Sequence, residues 1–287
     1  MNISVICPLY NAEDYIEKLQ ESILKQKGVN IESIHYVLTE SEDNTENILK
    51  EIQAKYSKIR KEKFSHSLTR EEIALKSKGD IVVFVTQDVI IMDDNWLYNL
   101  TKDIIKGECE AAFSRQISVS DGIEKYIRLK NYPEESRIVS KNDIEKLGLM
   151  TFFFSDVSSA IRKDIFIRLN GYSNKDLIIS EDMYIAYKLV MNDYRIKYCG
   201  DSVVVHSHDF TLTQLYKRYY DTGIFFKENN YLNKYKVNTS GIKLAKYVIG
   251  RAVEEKNYKV LIKVIPNFAA RFVGMKMGKR KANSNSI

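Results

Sequence analysis

The run Phe84-Val85-Thr86-Gln87-Asp88 closes an apolar stretch with a polar triplet that carries one carboxylate. Just upstream lie Phe64-Ser65-His66-Ser67-Leu68-Thr69-Arg70 and Lys78-Gly79-Asp80. A buried strand ending in an acid at its carboxyl end is where open α/β sheets place ligand chemistry. One such aspartate says little, because many strands end in a turn acid. Two further elements add to it. Glu181-Asp182 opens a helix, and His206-Ser207-His208 ends another strand. Carboxylates and imidazoles together form a donor set for a divalent cation. The three elements suggest a metal-dependent site for transfer of a sugar from a nucleotide.

These residues need a scaffold, and the chain can supply one. Its 287 residues suffice for one large α/β domain with an appended piece. The 44% hydrophobic and 29% charged content is that of a globular protein rather than a disordered or membrane-spanning one. Cys7, Cys109 and Cys199 are odd in number and far apart, which predicts reduced thiols and a cytoplasmic setting. No C-x-x-C pair exists, which argues against a cysteine zinc site. The start, Met1-Asn2-Ile3-Ser4-Val5, reads as a strand and not as a secretory leader. No apolar run approaches the roughly 20 residues that span a bilayer. The net charge of +6 comes without a basic recognition helix, so nucleic acid is not an expected partner.

The first third alternates strand and helix. A strand over Ile3–Cys7 runs into Pro8-Leu9-Tyr10-Asn11, and Asn11 is expected to cap a helix with Asp14 in its first turn. Gly28 stops that helix. A strand over Ile31–Leu38, an acidic turn, a helix to about Tyr56 and a short strand over Ile59–Phe64 follow. A helix over Thr69–Lys76 then leads to the Ile81–Val85 strand. Such repetition predicts a mostly parallel sheet covered on both faces. Neither G-x-G-x-x-G nor a P-loop motif is present, which disfavours dinucleotide and P-loop sites. Later elements are helices over Asn95–Ile105, Asp121–Lys130 and Ser140–Leu147, and a strand over Ala111–Gln116. Glu181 starts another helix, and two short strands, Ile196–Tyr198 and Ser202–His206, come after it. From about Thr211 the chain reads as helical. The division is a catalytic domain over 1–210 and a helical C-terminal extension over 211–287.

Several motifs occur in an order that resembles the family-2 nucleotide-sugar glycosyltransferases, and within them the bacterial rhamnosyltransferase branch. The broad likeness rests on Pro8-Leu9-Tyr10-Asn11, Glu181-Asp182 and the late histidine. The narrower one rests on Phe64-x-His66-x-x-Thr69-Arg70, Thr86-Gln87-Asp88, Ser114-Arg115-Gln116 and Asn131-Tyr132-Pro133-Glu134-Glu135-Ser136. It continues through Phe154-Ser155, Ser180-Glu181-Asp182-Met183, His206-Ser207-His208 and Arg218-Tyr219-Tyr220-Asp221-x-Gly223. The resemblance implies a GT-A-like catalytic domain that transfers L-rhamnose from dTDP-β-L-rhamnose, with inversion, to a saccharide acceptor. The acceptor would be a lipid-linked precursor of a bacterial surface polysaccharide such as capsule or O-antigen. A UDP-hexose donor and a non-catalytic nucleotide- or glycan-binding subunit are the alternatives.

The resemblance also distributes roles. Asp88 is the expected carboxylate on Mg²⁺ or Mn²⁺, with His206 or His208 completing the shell and His206 preferred on strand continuity. Asp182 is the expected general base, since an inverting transfer needs a carboxylate at the acceptor hydroxyl. The plainer reading of Glu181 and Asp182 is a pair of acids at a helix start. Pro8, Tyr10, Asn11, Gln87, Arg70 and Arg115 are donor-side candidates, the two arginines for their fit to phosphate. Asp156 and Glu181 fall on the acceptor side. The chain departs from the family where the second strand ends: Leu38-Thr39 stands where a nucleoside-reading acid is expected, with Glu40 as a substitute. Gln87 stands where others carry the first acid of a D-x-D pair. At the other end, Ile242–Arg280 mixes apolar residues with Lys and Arg. That composition fits a helix at an anionic membrane surface, such as the inner face of the cell membrane, or a hairpin that packs on the domain or serves a homodimer.

Overall fold

The structure, a computed structural model, describes residues 1–235 and 241–281. Strand β1 (Asn2–Leu9) leads through α1 (Ile16–Leu24) to β2 (Asn30–Thr39), α2 (Thr45–Glu51) and β3 (Tyr56–Ile59). Helix α3 (His66–Lys76) precedes β4 (Ile81–Val85), the short β5 (Ile90–Ile91) and α4 (Trp96–Ile105). Then come β6 (Ala111–Ile117), α5 (Ile123–Asn131), β7 (Arg137–Val139), α6 (Ile144–Leu147), β8 (Ser158–Arg162) and α7 (Lys163–Arg168). Helix α8 (Glu181–Met191) and strand β9 (Ile196–Val205) close the sheet. Helices α9 (Leu212–Glu228), α10 (Gly241–Glu254) and α11 (Tyr258–Lys281) form the C-terminal part.

All described strands join one mixed, mostly parallel sheet in the order β3-β2-β1-β4-β8-β6-β9-β5, with β7 beside β9. Strands β1 to β4 run parallel, β8 runs against β4 and β6, and β6 and β9 are parallel again. The carboxyl ends of β1, β2, β4, β6 and β9 therefore lie along one edge. Alternation along the strands fills two cores. Ile6, Val82 and Phe84 face Ile73, Phe166 and Leu189, whereas Val5, Cys7, Ile81, Val83 and Val85 face Ile16, Leu19, Leu97 and Ile104. Strand β4 is fully buried on both faces, which its unbroken apolar run requires.

Several expected boundaries move. Asn11 does not cap a helix: it sits at φ +47, and α1 begins only at Ile16. Its side-chain oxygen instead accepts from Glu42 N (3.1 Å), while its own N–H donates to Ser41 Oγ (3.0 Å), so it ties two loops together. The third strand comes earlier than expected, at Tyr56–Ile59. Helix α3 starts three residues sooner because Ser65 caps it, Oγ accepting from Leu68 N at 3.2 Å. The two late strands are one, continuous through Gly200, with a register shift opposite Ser114/Arg115. Strands β5, β7 and β8 and helix α7 are additional to the expected elements. Trp96 is a core residue, its indole N–H donating to Ser114 and Ser158 Oγ, both at 3.1 Å.

The C-terminal helices pack directly on the catalytic part. Arg271 of α11 is buried and donates to Tyr219 (2.7 Å), Asn267 (2.8 Å) and Glu124 of α5. Helices α9 and α11 touch along Gly223, Gly274 and Gly278; a Cβ on Gly278 would lie 1.9 Å from Tyr220 O. Among the described residues no helix is long and apolar enough to cross a membrane.

Candidate active site

Strand pairing builds the center of the site. Asp88 lies in the turn after β4, two residues before Ile90, which pairs with Val205 at the end of β9. The next residue, His206, donates its backbone N–H to Ile117 O (3.0 Å) and so prolongs β9 along β6. His206 and His208 stand two apart in extended chain and share a side. Asp88 Oδ2 lies 3.4 Å from His206 Nε2 and 3.1 Å from His208 Nε2, and the two Nε2 atoms are 3.0 Å apart. One ligand atom from each of the three residues falls within 4.8 Å of the others. Burial pushes Asp88 toward a higher pKa, but hydrogen bonds and charge from the two histidines hold it well below the usual carboxylate range. Burial pushes the His206 pKa down, toward the neutral ring that ligates metal, and the Asp88 carboxylate opposes that shift. A carboxylate and two imidazoles converging on one point fit a divalent cation.

A set of side chains behind His206 orients it. Gln116 Oε1 lies 3.2 Å from His206 Nδ1, and Gln116 Nε2 donates to Ser155 Oγ at 2.8 Å. Arg128 of α5 donates to Gln116 Oε1 and sets its Nη2 3.1 Å from the same Nδ1. Nδ1 can pair with Gln116 Oε1 as a donor or with Arg128 Nη2 as an acceptor but not both, and in the tautomer that donates to Gln116, Nε2 keeps its lone pair for the cluster. Gln116 and Arg128 were not among the expected site residues. The available signal was the Ser114-Arg115-Gln116 motif, a polar triplet in a strand that opens Ala111-Ala112-Phe113.

The donor-side candidates line the same edge. Gln87 bridges β4 and β1: its Oε1 accepts from Tyr10 N (2.7 Å) and its Nε2 donates to Tyr10 O (2.9 Å). The bridge spans the point where strand order reverses between β1 and β4, where open sheets bind ligands. Both polar groups of the Gln87 amide are thus engaged by the Tyr10 backbone. The exposed Tyr10 OH accepts from Lys61 Nζ (2.7 Å), and Glu40 Oε2 accepts from Lys61 N (3.4 Å). Pro8 pairs with Val37 inside the sheet. Leu38 is core and reads no base, whereas Thr39 Oγ1 and Thr86 Oγ1 are buried with no partner among the described residues.

Asp182 opens α8 after Ser180, which is held at φ +63. Its Oδ1 accepts from Met183 N at 2.7 Å. Burial, with the nearby charges of Glu181 and Asp156, raises the Asp182 pKa well above the usual carboxylate range; Arg218 of α9 opposes them. Arg218 also lies over the ring of Phe210, which packs on His208, so α9 leans over both acid and histidine.

Four of the expected site residues make their contacts away from the cluster. Arg70 is 3% exposed and turned inward, donating to His66 O (2.7 Å) and pairing with Glu181 Oε1 (3.4 Å), so it does not reach a diphosphate. Glu181 is thereby engaged below the surface and does not face an acceptor. Asp156 is 2% exposed and accepts from Ser159 Oγ and Tyr172 OH, both at 2.7 Å, which makes it an internal anchor and not an acceptor contact. Arg115 pairs with Glu134 (3.0 Å) and not with the cluster. A groove of about 730 Å³ between α3 and the β2–β3 edge, lined by His35, Leu68 and Ile73, holds none of the catalytic candidates.

Known proteins resemble this chain in sequence and in fold. O-antigen chain rhamnosyltransferase RfbN of Salmonella typhimurium is 29% identical over 285 residues, covering 97% of this chain and 90% of its own. The structure of S. aureus TarS 1-349 in complex with UDP-GlcNAc superposes with a TM-score of 0.59 at 16% identity, over 98% of this chain and 92% of that one. Mannosyltransferase PcManGT from Pyrobaculum calidifontis, in complex with GDP-Man and Mn2+, gives 0.59 at 15% identity, over 99% and 88%. These two share the GT-A-like fold. The sequence model for glycosyl transferase family 2 matches residues 4–169, the stretch that carries the Gln87 bridge, Asp88 and the Gln116 support. A match over more than half of the chain, on a sheet that gathers an acid and two histidines at its carboxyl edge, makes this protein a member of glycosyl transferase family 2 and a glycosyltransferase.

Proposed function

We propose that this enzyme transfers L-rhamnose from dTDP-β-L-rhamnose, with inversion at the anomeric carbon, to a lipid-linked saccharide destined for a bacterial surface polysaccharide. The convergence of Asp88, His206 and His208, together with an Asp182 at the start of α8, supports the reaction type. Similarity to RfbN over 97% of the chain supports the sugar. Asp88, His206 and His208 would hold the cation, and two imidazoles in a set of three favour Mn²⁺ over Mg²⁺, which prefers oxygen. When bound, such an ion neutralises charge growing on a diphosphate leaving group. Asp88 supplies the negative charge of the set, and Gln116 keeps the His206 lone pair turned toward it. Asp182 takes the proton of the acceptor hydroxyl as the new bond forms. Its raised pKa, lifted by burial and the neighbouring acids, brings it nearer the pH at which a base works best. Gln87 and Tyr10 join β1 to β4 under the nucleotide, and α9 closes the opposite side through Arg218.

The test is nucleotide release with a saccharide acceptor and Mn²⁺, comparing dTDP-β-L-rhamnose with UDP-GlcNAc, a UDP-hexose and GDP-mannose. The expected result is turnover with dTDP-β-L-rhamnose and an inverted linkage in the product by NMR. Turnover with a UDP-sugar but not with dTDP-β-L-rhamnose overturns the donor assignment, and a product with retained configuration overturns the role of Asp182.

A further inference from the structure

Helix α11 has two different faces. Val260, Val264, Arg271, Gly274 and Gly278 point inward and are buried against α5, α9 and α10. That face completes the packing of the helix. The outer face should then be polar, and it is not. Ile262 is 78% exposed, Ile265 75% and Phe272 67%, and with Tyr258 and Ala269 they recur at three- and four-residue steps along one stripe. Scattered surface apolar residues need no explanation, but a continuous stripe marks an interaction surface. Its charge identifies the partner. Between Tyr258 and Lys281 there are seven Lys and Arg and no Asp or Glu. Lys259, Lys263, Lys276 and Arg280 are all exposed beside the stripe or at its end. A second copy of this chain docked about a two-fold axis would set these cations against their own kind, with no acid on the helix to pair them. A surface that is apolar within and anionic at its rim accepts both features.

We infer that the outer face of α11 lies in the interfacial plane of an anionic lipid bilayer, with Ile262, Ile265 and Phe272 below the headgroups and the cations among them. At 1.5 Å per residue the stripe from Tyr258 to Arg280 runs on the order of 30 Å along the surface. This is a contact in the membrane plane, and it holds whichever sugar the enzyme transfers.

The experiment is co-sedimentation of the full chain with vesicles of phosphatidylcholine alone and of phosphatidylcholine with phosphatidylglycerol. Binding should be tighter by about tenfold or more on phosphatidylglycerol and should weaken as salt rises. The triple variant Ile262→Ser, Ile265→Ser, Phe272→Ser should lose about tenfold in affinity, as should Lys259→Glu with Lys263→Glu. All changed side chains are exposed, and an unchanged melting temperature checks each fold. If the intact chain stays in the supernatant with phosphatidylglycerol vesicles at low salt, the inference is wrong. It is equally wrong if sedimentation velocity shows a dimer that the triple variant converts to monomer, because the face then belongs to a second copy.

Discussion

Replacing Asp182 by Asn should slow the enzyme and stabilise it at the same time. The side chain keeps its shape and loses its charge. Asp182 is half-buried, lies near Glu181 and Asp156, and accepts a backbone N–H from Met183. Its folded pKa is raised above the unfolded value, chiefly by burial and then by the two acids. The sign follows directly. The stabilising contribution of the protonated carboxyl is fully present below the unfolded pKa and is lost as pH rises through the folded pKa. At neutral and alkaline pH the wild-type fold therefore bears a charge that it disfavours, and Asn removes it. Each tenfold bias toward the protonated form is worth about 1.4 kcal/mol, and in a chain of this size 1 kcal/mol moves Tm by about 2 °C. Thermal melts of both proteins across pH should show the variant more stable at pH 8, with the difference closing toward pH 3.5. Turnover should fall by about 10² or more, the scale of general-base assistance, while metal affinity stays within a few-fold. Normal turnover would remove Asp182 from the chemistry. A variant less stable than wild type at pH 8, with no convergence in acid, would refute the electrostatic reasoning even if turnover fell.

Three other outcomes follow from the geometry. Asp88→Asn, which removes the negative charge of the three-residue set, should weaken Mn²⁺ binding in calorimetry by at least about tenfold, and His208→Ala should do the same without altering the melting temperature by more than a few degrees. Gln116→Ala should cost about 10–100-fold in metal affinity although it touches no metal, because His206 loses the acceptor that fixes its tautomer; an unchanged affinity would refute that role for Gln116. Gly278→Val should cost about 1–3 kcal/mol or more in chemical denaturation, since a Cβ there meets Tyr220 O at 1.9 Å and must push α11 off α9.

The fold was legible wherever periodicity and polarity agreed. The parallel strands β1 and β4 announce themselves as apolar runs because both faces are buried, and Asp88 stands out because it follows one of them. His206 and His208 were legible for the same reason. What the sequence could not convey was direction. Arg70, Asp156 and Glu181 read as cleft residues, since charged groups are seldom buried. Their burial is made tolerable by one another and by Ser159, Tyr172 and the carbonyl of His66, partners up to 111 residues away. Strand β8, which inserts antiparallel between β4 and β6, has only five residues, Ser158–Arg162, and its serines hide its period. Asn11 carried a helix-capping signal, but the loop after β2 claimed its side chain first.

Helix α5 explains why a nine-residue segment in the irregular middle of the chain matters to both ends of the molecule. Successive helical turns send its side chains in different directions. Arg128 reaches inward to Gln116 and the Nδ1 of His206. Glu124 meets Arg271 of α11, Lys125 pairs with Glu255 at 2.7 Å, and Ile123, Tyr126 and Ile127 share a core with Val248, Ala252, Val260 and Val264. One short helix thus carries the support of a metal-facing histidine and the seat of the helix whose outer face we assign to the membrane. Breaking a buried ion pair by removing one partner leaves the other charge uncompensated and costs about 3–5 kcal/mol. The Glu124–Arg271 pair is buried in this sense, with both side chains at or below 14% exposure. The C-terminal helices therefore pack on the same short helix whose Arg128 lies against the His206 ring that faces Asp88.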